Sequence, residues 1–144
     1  MSMQQILHEL RSYEGVLELA PTEGSEFPEL AWGDHFFYYA PDGQVPTNRQ
    51  PFATIVTKDY PDDQQSQLDA EGRWRINLHV GAERLAELTD DSCDPAAADV
   101  IVRHPVYGAM GWICVVNSGA RTLPMLPELM RGAFADDQRR VERR

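Results

Sequence analysis

The residues best suited to chemistry lie on one short stretch, Arg73-Trp74-Arg75-Ile76-Asn77-Leu78-His79-Val80. Polar and apolar residues alternate along it without a break. On a β-strand successive side chains point to opposite faces, so Arg73, Arg75, Asn77 and His79 share one face and Trp74, Ile76, Leu78 and Val80 the other. Two guanidiniums beside an amide and an imidazole could hold an anionic ligand in a shallow groove, because arginine's planar fork matches carboxylate and phosphate oxygens. Lys58 with Thr54 or Thr57 could join them from a neighbouring strand. The same four residues would equally suit the solvated face of an open antiparallel sheet.

A second candidate is His104-Pro105-Val106-Tyr107, followed by Gly108, Gly111 and Trp112. An imidazole and a phenol three residues apart on a loop could do acid–base work. The alternative is a structural turn in which His104 caps backbone groups and Tyr107 packs on the core. Asp34 and His35, after Trp32-Gly33, are the raw material of a dyad. Adjacent strand residues face opposite ways, however, so the expected partner of Asp34 is Arg75, as an ion pair across the sheet. The aromatic run Trp32, Phe36, Phe37, Tyr38 and Tyr39 could stack a flat ligand, or could be core plus a half-exposed surface. A metal site from His79, His104 and Asp34 is the remaining combination. The chain carries no Gly-x-Ser-x-Gly elbow, no glycine-rich phosphate loop and no His-Glu-x-x-His. No catalytic residue, metal or cofactor is expected.

Composition narrows the classes further. The chain has 144 residues, 42% of them hydrophobic, which fits one domain (1–144) with a real core. Its 23 acids against 13 bases give a net charge of −10. Phosphate backbones repel such a protein unless its bases cluster, so nucleic acid ranks last among partners. No apolar run reaches the length of a membrane span, and the first residues lack the pattern of a signal peptide, so the expected location is the cytoplasm. Cys93 falls in a polar turn and Cys114 in an apolar run, which predicts a free Cys93 and a buried Cys114 rather than a disulfide or a metal motif.

The elements that must position these residues follow from periodicity. Ser2 and Gln5 form a capping-box pattern ahead of a helical stripe, Met3, Ile6, Leu7 and Leu10. Val16 to Ala20 could be a short extended piece. Residues 32–39 and 52–57 read as an antiparallel strand pair joined by a long loop that contains Pro41-Asp42-Gly43. The acidic stretch 59–71 reads as a mobile surface loop. The strand 73–80 comes next, then a helix over 82–89, a short apolar run at 100–103 and a central strand over 112–117. A last helix opens near Thr122 with Pro124 and Pro127 in its first turn, and buries Leu126, Leu129, Met130, Ala133 and Phe134. Arg139, Arg140, Arg143 and Arg144 complement the negative end of its dipole. The order is helix, three strands, helix, two strands, helix. It predicts an α+β fold of two layers, an antiparallel five-stranded sheet with helices mainly on one face.

That order resembles the MmcQ/YjbR-like fold. The residues that carry the likeness are Arg75-Ile76-Asn77-Leu78 running into a helix with Glu83, Leu85 and Leu88, then Arg103-His104, the Trp112 strand and the C-terminal helix. A closer resemblance spans nearly the whole chain. Trp32-Gly33-Asp34 with Phe36-Phe37-Tyr38, Pro51 to Val56, Arg75-Ile76-Asn77, and His104 to Tyr107 with Gly111-Trp112 resemble a mainly actinobacterial family, number 6194 among the domains of unknown function. This resemblance implies no catalytic residues. The sequence thus leads to an uncharacterised soluble protein, a non-enzymatic binding module for an unknown small molecule or protein, as a monomer or homodimer. A small-molecule enzyme using His104 and Tyr107 with the Arg75, Asn77 and His79 face is the alternative, and nucleic-acid binding comes third.

Overall fold

The computed structural model describes residues 1–143, so Arg144 lies outside the described residues. Among these residues the chain forms α1 (Met3–Arg11), β1 (Val16–Leu19), β2 (His35–Tyr39), β3 (Ala53–Val56), β4 (Arg75–His79), α2 (Ala82–Leu88), β5 (Val102–Arg103), β6 (Trp112–Val116) and α3 (Leu126–Glu142). The strands make one sheet in the order β1-β2-β3-β4-β6-β5, with every neighbouring pair antiparallel. The class is α+β, with three α-helices and a single antiparallel sheet.

The sheet has six strands rather than five. The additional strand is β1, which pairs with β2 from Val16 opposite Tyr39 to Leu19 opposite Phe36. Four residues with Glu18 among them give almost no local signal. The strand exists because β2 offers an edge, and because Arg11 and His35 hold the Glu18 carboxylate in place, each at 2.7 Å.

Helix α1 starts as its sequence requires. Gln5 N–H donates to Ser2 Oγ at 3.1 Å, and Ser2 N–H donates to Gln5 Oε1 at 2.8 Å. Its Ile6, Leu7 and Leu10 join Leu85 of α2 and Leu126, Leu129, Met130 and Phe134 of α3 in one core. The sheet contributes Phe37, Ile55, Ile76, Leu78, Ile113 and Val115 to the same core, the alternate positions of four strands. Helix α3 has Pro127 in its first turn, whereas Pro124 lies ahead of it. Pro124 belongs to a separate turn closed by Met125 N–H donating to Thr122 O at 3.1 Å.

The opposite sheet face is covered by loops, not left open. Residues 59–71 do not form a bare surface loop: Ser66 and Leu68 are buried, and so is Asp63. Leu68 packs with Val56 and Val116 of the sheet, with Tyr60 against them. The acidic residues clasp the loop from within. Asp59 accepts Leu68 N–H at 2.8 Å, and Asp69 accepts Asp59 N–H at 2.9 Å.

Candidate functional site

Strand register assembles the site. Asn77 lies opposite Thr54 on one side and Cys114 on the other, while Arg75 lies opposite Val56 and His79 opposite Trp112. These residues share the sheet face that the helices do not cover. Arg75, from the middle of this face, is 1% exposed. A guanidinium carries five N–H groups, and burial demands a partner for each. Nε donates to Asn77 Oδ1 at 2.7 Å. Nη1 donates to Asp63 Oδ1 at 3.0 Å and to Ser66 Oγ at 2.9 Å. Nη2 donates to Asp63 Oδ2 at 2.5 Å and lies 3.1 Å from His104 Nε2. Burial opposes both charges, but the pairing outweighs it: the Asp63 carboxyl is held below its ordinary value and the Arg75 guanidinium above its own.

The partner of Arg75 is therefore Asp63, and not Asp34. Asp34 is fully buried beyond the end of β3. Its Oδ1 accepts Thr57 N–H at 2.8 Å, the Thr57 hydroxyl at 2.6 Å and Lys58 Nζ at 3.1 Å, and its Oδ2 accepts the Tyr60 hydroxyl at 2.5 Å. That cluster fixes the turn leaving β3, and through Tyr60 it fixes one lip of the site.

His104 sits on the other side of Arg75, 3% exposed. The Val106 and Tyr107 amides donate to its Nδ1 at 3.1 and 3.0 Å, the capping role that a structural turn predicts. A neutral imidazole has one lone-pair nitrogen, so these two donors assign the ring proton to Nε2. The nearest carboxylate oxygen to that proton is Asp63 Oδ2, 3.7 Å from Nε2. Arg75 Nη2 and His104 Nε2 then face each other donor to donor at 3.1 Å; Asp63 Oδ2 is bonded to Nη2 and lies beyond hydrogen-bond reach of Nε2. Burial, and after it the Arg75 charge, push His104 down to about 4 against the opposing pull of Asp63. The ring is neutral at pH 7. Beneath Arg75 the Cys114 thiol is pushed up to about 12, chiefly by burial.

Above this floor lies a cleft of about 300 Å³. Thr54, Asp63, Arg75, Asn77 and His104 form its base, and Phe36, Tyr38, Pro51, Val56 and Trp112 its walls. Tyr60, Tyr107, Met110 and Asp62 surround the mouth. Tyr107 does not pack on the core: it is 46% exposed, with its ring centroid 5.0 Å from that of His104. The aromatic run divides as strand alternation requires, with Phe37 and Tyr39 in the helical core and Phe36 and Tyr38 on the cleft.

Of the residues that the sequence points to, Arg75, Asn77, His104 and Tyr107 come together at the cleft. Arg73, His79 and Asp34 do not. Arg73 precedes β4, and its guanidinium donates to the carbonyls of Gln67, Ser66 and Ala96 at 3.0, 2.8 and 2.6 Å. His79 bonds the Met110 carbonyl through Nε2 at 2.9 Å and meets the Trp112 ring edge-on, outside the cleft lining. Among the described residues no three His, Cys, Asp or Glu side chains converge as a metal site, so His79, His104 and Asp34 are not one. Asp63, Ser66 and Tyr60 were not legible as site residues. For Asp63 the only sequence signal was that an arginine on the sheet could pair with a carboxylate, which did not say which of 23 acids would supply it; Ser66 and Tyr60 gave none.

Fold and cleft together define a small α+β protein with a charge-balanced, aromatic-walled cavity on the sheet face opposite its helices. Over residues 1–144 the chain matches a family of unknown function, DUF6194, and it belongs to that family. No curated protein and no solved structure matches it. Among the described residues no helix is long and apolar enough to cross a membrane.

Proposed function

We propose that this protein is a single-domain, non-enzymatic binding module of the cytoplasm, whose ligand is a small organic molecule seated in the outer-face cleft. The reading rests on Arg75: a buried cation paired at two points with Asp63 and bonded to Asn77 and Ser66, at the base of an aromatic-walled cavity. Such a floor holds its shape and has no reactive group to spare. His104 near 4 is a weak base at neutral pH, and the sealed Cys114 thiol near 12 is no nucleophile. Both points favour binding over catalysis by His104 and Tyr107. A volume of about 300 Å³ suits a small molecule better than a polymer, and the charge of −10 again weighs against nucleic acid. The wider MmcQ/YjbR-like kinship belongs to the same proposal, supported by the order of the motifs.

Native mass spectrometry of the protein as isolated from cells tests this function. A retained small molecule is expected on the native chain and is expected to be missing from Thr54→Trp, a variant that fills the cleft and whose folding is checked by circular dichroism. Equal retention by both proteins would move the site off this face. Turnover of the retained molecule by the native chain, lost in His104→Gln, would restore the enzyme alternative.

A further inference from the structure

Two residues that line the cleft carry polar atoms without protein partners, and these atoms bear on what it accepts. Tyr38 and Trp112 are 8% and 7% exposed and both line the cleft. Among the described residues neither Tyr38 Oη nor Trp112 Nε1 has a hydrogen-bond partner, and neither atom is sealed from solvent. Buried tyrosine and tryptophan ordinarily satisfy these groups within the protein. The floor adds two more donors. Asn77 Nδ2 gives one hydrogen to Thr54 Oγ1 at 2.8 Å and keeps its second, and the Thr54 hydroxyl keeps its own proton. On the floor the Asp63 oxygens and Asn77 Oδ1 are engaged by Arg75, while Gln50 and Asp62 elsewhere in the lining offer acceptors to the N–H groups of an amide.

Charge excludes the ligand that the arginine-rich strand implies. Arg75 is neutralised by Asp63, and Asp62 at the mouth leaves no surplus of positive charge. A carboxylate or phosphate entering the cleft would give up water without gaining a free cation. An ammonium ion would meet donors on the floor.

We propose that the cleft selects a neutral, planar ring bearing a carbonyl, an aromatic amide or lactam. Its oxygen, with two lone pairs, accepts from two of the N–H and O–H groups that Tyr38, Thr54, Asn77 and Trp112 offer, and its ring packs on the aromatic walls. The inference rests on the cleft being the binding site and adds the chemical class of the occupant.

Three probes that share one ring separate the possibilities: benzamide, benzoate and benzylamine, titrated into ¹⁵N-labelled protein while the Trp112 indole N–H resonance is followed. Benzamide is expected to move that resonance and to bind at least roughly tenfold more tightly than either charged probe. Thr54→Val is expected to weaken benzamide roughly three- to tenfold, the loss of one hydrogen bond. Tighter or equal binding of benzoate or benzylamine at the same resonance would overturn the neutral-carbonyl class and leave the cleft as the site. If no probe moves the resonance, the class is also overturned. The cleft itself then stands only if the molecule retained in native mass spectrometry is still lost in Thr54→Trp.

Discussion

Arg75 and Asp63 form a two-point ion pair, with bonds of 3.0 and 2.5 Å, between a sheet strand and a loop twelve residues upstream. Their side chains are 1% and 10% exposed, so the pair is a buried one. Asp63→Asn leaves the guanidinium without its counter-charge. The expected loss is about 3–5 kcal/mol, read as a lower urea midpoint with an unchanged slope. Replacing both residues, Arg75→Met with Asp63→Leu, is expected to recover part of that loss, because an apolar pair removes both charges together. A double variant less stable than Asp63→Asn would show that Ser66 and Asn77 depend on the guanidinium more than the guanidinium depends on Asp63.

His104 gives the protein a defined acid sensitivity. Its folded value of about 4 lies below the ordinary 6.5, first through burial and then through Arg75. Between those values the unfolded chain binds a proton that the folded chain does not. The contribution to stability is complete above the unfolded value and is lost as pH falls toward the folded one. The urea midpoint is expected to drop between pH 6.5 and 4, and to drop less in His104→Gln. An identical profile in the variant would assign the acid sensitivity to other groups.

Gly111 is required by a close backbone approach. Its φ is +89°, and a Cβ there would stand 2.7 Å from Gly81 Cα. Its carbonyl accepts the N–H groups of Val80 and Gly81 at 2.9 and 3.0 Å, which ties the loop after His104 to the end of β4. Gly111→Ala is expected to cost more than the 1–3 kcal/mol on the order of which left-handed strain alone amounts to. Gly43→Ala is the control, since Gly43 has φ +74° and nothing within 4 Å of a Cβ. A Gly111 variant with the thermal midpoint of the Gly43 variant would remove the close approach as a constraint.

The two cysteines separate by burial. Cys114 is 1% exposed with its thiol near 12, whereas Cys93 is partly exposed. Iodoacetamide is expected to modify one thiol in the folded protein, at Cys93, and both in denaturant. Fast labelling of Cys114 under native conditions would mean that the face beneath Arg75 opens readily.

Local pattern carried most of the fold. Ser2 and Gln5 cap α1 as their spacing requires, the stripe from Leu126 to Phe134 faces the core, and Trp112 to Val116 is wholly buried. Val16 to Ala20 reads only as a short extended piece, because four residues beside a loop hold no periodicity of their own; pairing with β2 makes them a sheet strand. The site was half legible. Alternation put Arg75 and Asn77 on the face away from the helices, and the turn residues around Pro105 marked His104 and Tyr107. Arg73 and His79 followed the same alternation, yet the first lies before the strand and the second is occupied by Met110 and Trp112.

By itself the sequence determined that Arg75 and Asn77 point away from the helical core, since the two-residue period of a strand is a local property of the backbone. It did not determine what lies above them. Only the tertiary structure decided that Asp63, Ser66 and His104 close over Arg75 and turn a polar strand face into the floor of a cleft. The physical reason is that a buried guanidinium takes whichever carboxylate the loops bring within hydrogen-bond distance. Asp34 and Asp63 both offered one, and chain path, not residue type, settled which was used.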